Sequence, residues 1–81
     1  VDILPYEKIL VGNMANGNRF ETYAIPGPRG KRDICLNGAV AHLGKKGDRL
    51  TIMAFASVDR KKAAKLQPKK INLDKHNKIV R

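Results

Sequence analysis

The chain has 81 residues, of which 42% are hydrophobic, and its formal net charge at pH 7 is +10. This length fits a single domain spanning residues 1–81, and the hydrophobic fraction is that of a globular protein rather than a disordered one. One cysteine excludes an intrachain disulfide, and no apolar run approaches the ~20 residues of a membrane-spanning helix. A core this small, without disulfides, is expected to need a partner chain or an oligomer.

The net positive charge comes entirely from the second part of the sequence. Residues 1–30 sum to zero, whereas residues 31–81 carry fourteen Lys and Arg against four Asp. The densest runs are residues 60–65 and Lys69-Lys70. Such runs are typical of a nucleic-acid-binding surface or of attraction for anionic substrates, and a solvated lysine-rich face gives the same pattern. We favour the solvated face, because no aromatic side chain is interleaved to stack on bases.

The first elements predicted along the chain form a hairpin. Residues 7–14 have a β-prone centre and are predicted to form a strand. Asn16-Gly17 is typical of a tight hairpin turn, and residues 19–25 alternate polar and apolar as a half-buried strand does. Residues 26–30 contain two prolines and two glycines, which predicts a loop.

Short elements are also predicted over the rest of the chain. We expect a strand at residues 33–36, in which Cys35 is a buried residue, then one helical turn at residues 39–43 closed by Gly44, and a turn at residues 45–48. Residues 49–56 have the best strand pattern, Asp59 is placed to cap a short helix over residues 60–66, and residues 71–73 and 78–80 form a terminal hairpin. This succession predicts a mainly β fold, a small barrel or a sandwich.

The common catalytic and metal-binding signatures are absent from the sequence. His42 and His76 lie far apart, Cys35 has no partner cysteine, and no Asp or Glu residues form a close pair. Ser57 is the only serine and no local motif activates it. We therefore assign these residues to structural roles.

The segment with potential for chemistry is the second predicted strand. Because side chains alternate across a strand, Arg19, Glu21 and Tyr23 share one face, and Phe20 and Thr22 the other. A guanidinium suits a carboxylate, and a neighbouring phenol is a proton donor, so Arg19 and Tyr23 are able to anchor and protonate a small anion. From composition alone, a surface ion pair between Glu21 and Arg19 is the simpler interpretation.

Three segments, in order and with family-like spacing, resemble bacterial aspartate 1-decarboxylase. NGNRFETYAI at residues 16–25 resembles the NGxRFxTYAI motif of that family, and ICLNGAVAH at residues 34–42 resembles its NGAAA segment. GDRLTIMAF at residues 47–55 resembles the aliphatic strand that follows. The resemblance is good from about Ile3 to Val58 and loose beyond.

This resemblance implies a small double-psi β-barrel, a homotetramer and a cytoplasmic enzyme that supplies β-alanine for pantothenate and coenzyme A. It also implies a zymogen that cleaves itself before a serine, which becomes a covalently bound pyruvoyl group. That group forms a Schiff base with L-aspartate, so neither pyridoxal phosphate nor a metal is expected, and neither nucleic acid nor membrane is an expected partner.

The site residues implied by the resemblance lie in the first two motifs. Tyr23 matches the proton donor and Arg19 the arginine that holds a substrate carboxylate. Thr22 matches a threonine linked to self-processing and substrate contact; because it lies on the opposite face from Tyr23, either a strand bulge or a site between subunits is expected. The remaining substrate-binding matches are Asn37, Gly38, Ala39 and Val40, of which Val40 departs from the usual Ala and could narrow the pocket.

The pyruvoyl-forming serine and a substrate-contacting lysine of the family fall upstream of the part that Val1 matches. We therefore expect this chain to be most of the larger (alpha) chain, active only when completed by the pyruvoyl-bearing segment and paired with the small chain from the same precursor. The alternative hypothesis is a small basic β-barrel that binds nucleic acid.

Overall fold

Seven short elements, five of them strands, make up residues 1–80, the part of the chain that this computed structural model describes; Arg81, at the end of the predicted domain, lies outside the described residues. The strands are β1 (Lys8–Asn13), β2 (Arg19–Tyr23), β3 (Leu50–Met53), β4 (Asn72–Leu73) and β5 (Ile79–Val80). A 3-10 helix spans Gly38–Leu43, and α1 spans Arg60–Ala63. The predicted mainly β fold is confirmed, and its short strands and helical pieces are consistent with a small β-barrel.

β1 is the centre of a three-stranded antiparallel sheet with the order β2-β1-β3. Its apolar run, Ile9-Leu10-Val11, favours an extended strand that pairs on both sides. The predicted turn at Asn16-Gly17 joins β1 to β2. The backbone N–H of Asn13 donates to the backbone carbonyl of Asn18 at 2.8 Å, and Gly17 has a φ of 77°. This left-handed conformation is the one that glycine adopts without steric cost.

The core lies on one face of this sheet. Ile9 and Val11 of β1 and Phe20 of β2 are its buried apolar residues, because they alternate onto the same side of paired strands. Partly buried side chains pack against them from the 3-10 helix and its surroundings and from both ends of the sheet: Ile3, Ala24, Leu36, Val40, Leu43 and Leu50. The core therefore holds the 3-10 helix against the sheet.

β4 and β5 form the predicted terminal hairpin, a second, two-stranded antiparallel sheet. The Asp74 carboxylate accepts hydrogen bonds from the backbone N–H groups of His76 and Lys78, at 2.8 and 3.0 Å, and so closes the turn. Asn77 connects this turn to the segment around Arg32. Its side-chain amide donates to the backbone carbonyl of Arg32, and the Arg32 guanidinium donates to the backbone carbonyl of Asn77.

Several predicted elements differ from the structure. The strand predicted at residues 33–36 is wrong, because no described strand pairs with this segment, and Cys35 is exposed rather than buried. β3 and α1 are shorter than predicted, since Phe55 and the end of the predicted helix have no core to pack against. Asp59 lies at the N-cap of α1, but its side chain makes no capping hydrogen bond. The basic side chains of α1 are exposed, as expected for a solvated face.

The chain leaves much apolar surface exposed. Its accessible surface is 7578 Å², whereas a monomer of 9.0 kDa is expected to expose about 4,900 Å². Its radius of gyration is 14.0 Å, against about 12 Å for a compact domain of this length. Leu4, Tyr6, Ile25 and Phe55 are each more than half exposed. Within residues 1–80, no helix has the length and apolar character needed to span a membrane.

We expect Gly17→Ala to destabilise the full-length protein by about 1 kcal/mol, because an L-residue at positive φ brings its Cβ against its own backbone. No neighbouring atom lies within 4 Å of a Cβ at Gly17, so only the backbone conformation contributes. Gly12→Ala is the matched control: its site is equally open, and its φ is not positive. The midpoint of chemical denaturation measures both; equal midpoints would contradict the assigned turn.

Candidate functional site

β2 divides the predicted site residues between its two faces. Its register with β1 runs without interruption from Lys8 opposite Tyr23 to Gly12 opposite Arg19. Arg19 and Tyr23 therefore point away from the core, and Thr22 points toward it beside Phe20. Of the two arrangements expected at Thr22, the strand bulge is excluded, because the continuous ladder leaves no extra residue on β2.

The outward face of β2 carries Arg19, Glu21 and Tyr23, and the ring of Tyr6, a residue before β1, lies beside it. Tyr23 is 55% exposed, and its ring lies 6.4 Å from that of Tyr6, centroid to centroid, at an angle of 41°. Glu21 pairs with Lys8 of the neighbouring strand at 3.2 Å. The predicted Glu21–Arg19 ion pair is therefore wrong: Lys8 lies diagonally across the ladder, within reach of the carboxylate.

Asn37 to Val40 form the start of the 3-10 helix. Asn37 is its N-cap, in an extended conformation, and its side chain makes no capping hydrogen bond. Gly38 has a φ of 71° and, like Asn37 and Ala39, is exposed. Val40 is half-buried and packs against the core, so its larger side chain occupies space between the helix and the sheet.

The seven predicted residues thus form two groups on opposite sides of one sheet. Thr22 lies on the core side, where the 3-10 helix also packs, and Arg19 and Tyr23 lie on the outer side. In the described part of the chain β2 pairs with β1 alone, so its other edge is open. A molecule at that open edge has access to Thr22 and Tyr23, which are consecutive residues, from both faces.

One buried polar residue that the sequence analysis did not single out lies next to this arrangement. Asn13, 2% exposed at the end of β1, donates from its side-chain amide to the Leu43 carbonyl at 3.1 Å and to the Asp48 carboxylate at 2.9 Å. The Lys45 backbone N–H also donates to Asp48, at 2.9 Å. The signal was present in the alternation Ile9, Val11, Asn13, which places a polar side chain on the core face.

These hydrogen bonds to the charged form, chiefly from Asn13 and then from the Lys45 backbone, hold the pKa of Asp48 below its ordinary value of 3.8. Asp48 is half-buried. Through these two hydrogen bonds, its ionised carboxylate connects the end of β1 to the turn that precedes β3. Both hydrogen bonds are accepted by the same carboxylate oxygen, Oδ2.

The described surface includes a cavity at the end of the β1–β2 hairpin and a cleft beside β1 and β2. A cavity of about 320 Å³ is lined by residues around Asn16, His42 and Asp48. A cleft of about 400 Å³ lies beside Glu21 and Phe55. None of the seven predicted residues lines either one. Among residues 1–80, no group of three or more His, Cys, Asp or Glu side chains is arranged to hold a metal ion.

Comparison with known proteins identifies similar sequences along the whole described chain. The family model described as aspartate decarboxylase matches residues 1–80. The chain is 52% identical over 79 residues to the aspartate 1-decarboxylase of Carboxydothermus hydrogenoformans, covering 98% of this chain and 62% of that protein. It is 49% identical over 79 residues to that of Thioalkalivibrio sulfidiphilus, covering 98% and 63%. This chain therefore spans less than two thirds of the length of these relatives.

We expect Asp48→Asn to destabilise the full-length protein at neutral pH and to make no difference in strong acid. A carboxylate whose pKa is lowered by folding contributes stability that is fully present above its ordinary pKa of 3.8 and is lost as the pH falls through the lowered folded value. Denaturation midpoints of both proteins between pH 7 and pH 2 measure the difference.

The matched control is Asp59→Asn, because Asp59 is exposed and its side chain makes no capping bond. Its denaturation midpoints should follow those of the wild type at every pH. A pH-independent effect of Asp48→Asn would show that its carboxylate charge does not contribute.

Proposed function

Because this chain belongs to the aspartate decarboxylase family, whose model matches residues 1–80, we propose that its protein decarboxylates L-aspartate to β-alanine and CO2. The observation that carries the proposal is the pairing of family membership with the outer face of β2. There the Arg19 guanidinium and the Tyr23 phenol, four residues apart on the same face, point toward solvent beside an open strand edge. This is the chemistry needed to hold a carboxylate of a dicarboxylate substrate and return a proton to that substrate.

We infer that the cofactor is a covalently bound pyruvoyl group, formed from a serine outside residues 1–81. The groups that border the open edge of β2 and the start of the 3-10 helix fit a small keto amide, because the Thr22 hydroxyl and uncapped backbone N–H groups are hydrogen-bond donors. When bound, such a group supplies a carbonyl that reacts with the amine of the substrate and withdraws electrons from the bond to the departing carboxylate.

The outer face of β2 provides the two side chains that act on the substrate. The Arg19 guanidinium binds the carboxylate that is retained, in a bidentate, charge-assisted arrangement. The Tyr23 phenol donates its proton to the carbon that loses CO2. The Tyr6 ring beside it restricts the positions that the Tyr23 ring can take.

The core side of β2 provides the groups that orient the substrate. Thr22 donates from its hydroxyl, and the backbone of Gly38, Ala39 and Val40 borders the substrate with Asn37 at the start of the segment. The packing of Val40 against the core supports a backbone role for this segment, because the side chain is directed away from the exposed surface. The substitution of Val for the usual Ala is thereby accommodated without narrowing the site.

We infer that the active enzyme is an assembly: the small chain from the same precursor and further copies of this chain, in a homotetramer. The exposed apolar side chains, among them Leu4, Ile25 and Phe55, support this inference, because folding of this chain alone leaves them in water. The division of the site residues between two faces supports it as well. In a site between subunits, the outer face of the sheet in one chain can lie against the core-side groups of a neighbouring chain. We place the reaction in the cytoplasm, where it supplies β-alanine for pantothenate and coenzyme A.

We expect Tyr23→Phe to reduce the turnover of the full-length, processed enzyme by about 10²–10⁴-fold, the range typical of a lost general acid. The assembly should remain intact, because Tyr23 is more than half exposed and contributes little to the core. Formation of β-alanine from L-aspartate measures turnover, and size-exclusion chromatography measures assembly.

Tyr6→Phe is the matched control. It removes the hydroxyl group from a ring whose centroid lies 6.4 Å from that of Tyr23, and it keeps the aromatic contact. It should retain most of the turnover. Full turnover in Tyr23→Phe would refute the assigned proton donor, and DNA binding that weakens steeply with salt, without any β-alanine, would favour the basic-barrel alternative.

We expect Arg19→Gln to raise the KM for L-aspartate by about 10- to 100-fold, because a charge-assisted hydrogen bond to a carboxylate contributes about 1.5–3 kcal/mol. Glu21→Gln, on the same face and paired with Lys8, is the matched control and should leave the KM close to that of the wild type. Steady-state kinetics distinguish the two variants; an equal rise in both would indicate a general effect of surface charge.

A further inference from the structure

We propose that Asn13 is a positioning residue for this reaction: by joining the ends of β1, the 3-10 helix and the turn before β3, it sets where the substrate-bordering segment 37–40 lies relative to β2. This inference rests on the proposed decarboxylase function. Asn13 itself does not touch the substrate; it acts through Leu43 and Asp48.

Every polar atom of the Asn13 side chain has a partner. The two N–H bonds of its amide donate to the Leu43 carbonyl at 3.1 Å and to the Asp48 carboxylate at 2.9 Å. Its carbonyl oxygen accepts from the Ala15 backbone N–H at 2.9 Å. A buried amide costs free energy unless its hydrogen bonds are made, so this side chain is stable in one orientation only.

The backbone of Asn13 fixes the other half of the site. Its N–H donates to the Asn18 carbonyl at 2.8 Å, and its carbonyl accepts from the Gly17 N–H at 2.9 Å. Asn18 directly precedes Arg19, the first residue of β2. One residue thus holds both the strand that carries Arg19 and Tyr23 and the far end of the helix that begins at Gly38.

The 3-10 helix depends on this contact because its own hydrogen bonds hold it weakly. It has six residues, and its Asn37 cap makes no side-chain hydrogen bond. Short 3-10 helices have poor hydrogen-bond geometry and rely on their surroundings. At the C-terminal end, the Leu43 carbonyl accepts from Asn13 and, at 3.2 Å, from Asn16.

Gly44 shows how closely this end of the helix approaches Asn13. A Cβ added at Gly44 would lie 2.7 Å from Leu36 Cδ1 and 3.2 Å from the Asn13 amide nitrogen. There is no room for the helix end to move toward the sheet, and the hydrogen bonds to Leu43 prevent it from moving away.

An apolar residue would satisfy the packing at this position but not the connection between elements. Ile9 and Val11 occupy the equivalent core-facing positions along β1 and make only apolar contacts. An asparagine presents two donors and an acceptor in one plane. Here the two donors reach the distant residues Leu43 and Asp48, and the acceptor bonds the nearby Ala15 backbone. This pattern favours a positioning role over a purely packing role.

The test uses the full-length, processed enzyme with Asn13→Asp, the double variant Asn13→Asp with Asp48→Asn, and Asn72→Asp as the matched control. Asn13→Asp places two carboxylates together and removes the donor to Leu43. We expect its KM for L-aspartate to rise about tenfold, the effect of one lost hydrogen bond to a charged or buried group. Its kcat should change less than threefold, because Arg19 and Tyr23 stay on β2.

Two further measurements separate positioning from loss of structure. Binding of succinate, an unreactive dicarboxylate, should weaken by the same factor as the KM rises, as measured by calorimetry. The double variant restores a donor and an acceptor between positions 13 and 48, so it should recover at least part of the affinity. Asn72 is exposed on β4, and its variant should match the wild type in both measurements.

Wild-type KM and succinate affinity in folded Asn13→Asp would overturn the inference while leaving the proposed function intact. If Asn13→Asp fails to fold, Asp48→Asn replaces it: a raised KM relative to Asp59→Asn supports the inference, and equal KM values overturn it. If the wild-type enzyme itself makes no β-alanine, the proposed function fails, and the inference fails with it.

Discussion

The pairing of β1 with strands on both of its sides is the constraint on which the rest of this structure depends. β1 aligns β2 and β3, and the alternation of its side chains decides which residues are buried. Ile9 and Val11 meet Phe20 on one face, and that small cluster is what the 3-10 helix packs against. A shift of one residue in the β1–β2 register would exchange Thr22 with its neighbours and reverse the two faces of the site.

The same alternation explains why the candidate site is split. An uninterrupted ladder sends Arg19 and Tyr23 outward and Thr22 inward, and a single chain cannot bring these side chains to one point on a flat face. The chain that carries this divided site also has an open edge on β2 and a large exposed apolar surface. In the assembly that we propose, a neighbouring chain would cover these apolar side chains and close a pocket over β2.

Polar groups in the interior organise this site as much as apolar ones do. Asn13 is the most buried polar residue of the described chain; its side chain makes two hydrogen bonds to segments far along the chain and a third to the nearby Ala15 backbone. Asp48 and Asn16 extend the same connection to the turn and to the hairpin. In a core with three buried apolar side chains, such bonds hold elements in place that hydrophobic burial alone would leave free to shift.

The sequence by itself determined the local features: the β1–β2 hairpin, the two-faced pattern of β2, the turn at residues 45–48, the terminal hairpin and the family. Each depends on residues close together in the chain, such as Asn16-Gly17. Tertiary structure alone decided the rest. Residues 33–36 have a strand-like sequence but no partner strand, Glu21 pairs with Lys8 because of the register, and Asn13 finds its partners at Leu43 and Asp48. These outcomes depend on which segments far apart in sequence come into contact in the fold. The spacing of residues along the chain does not specify those contacts.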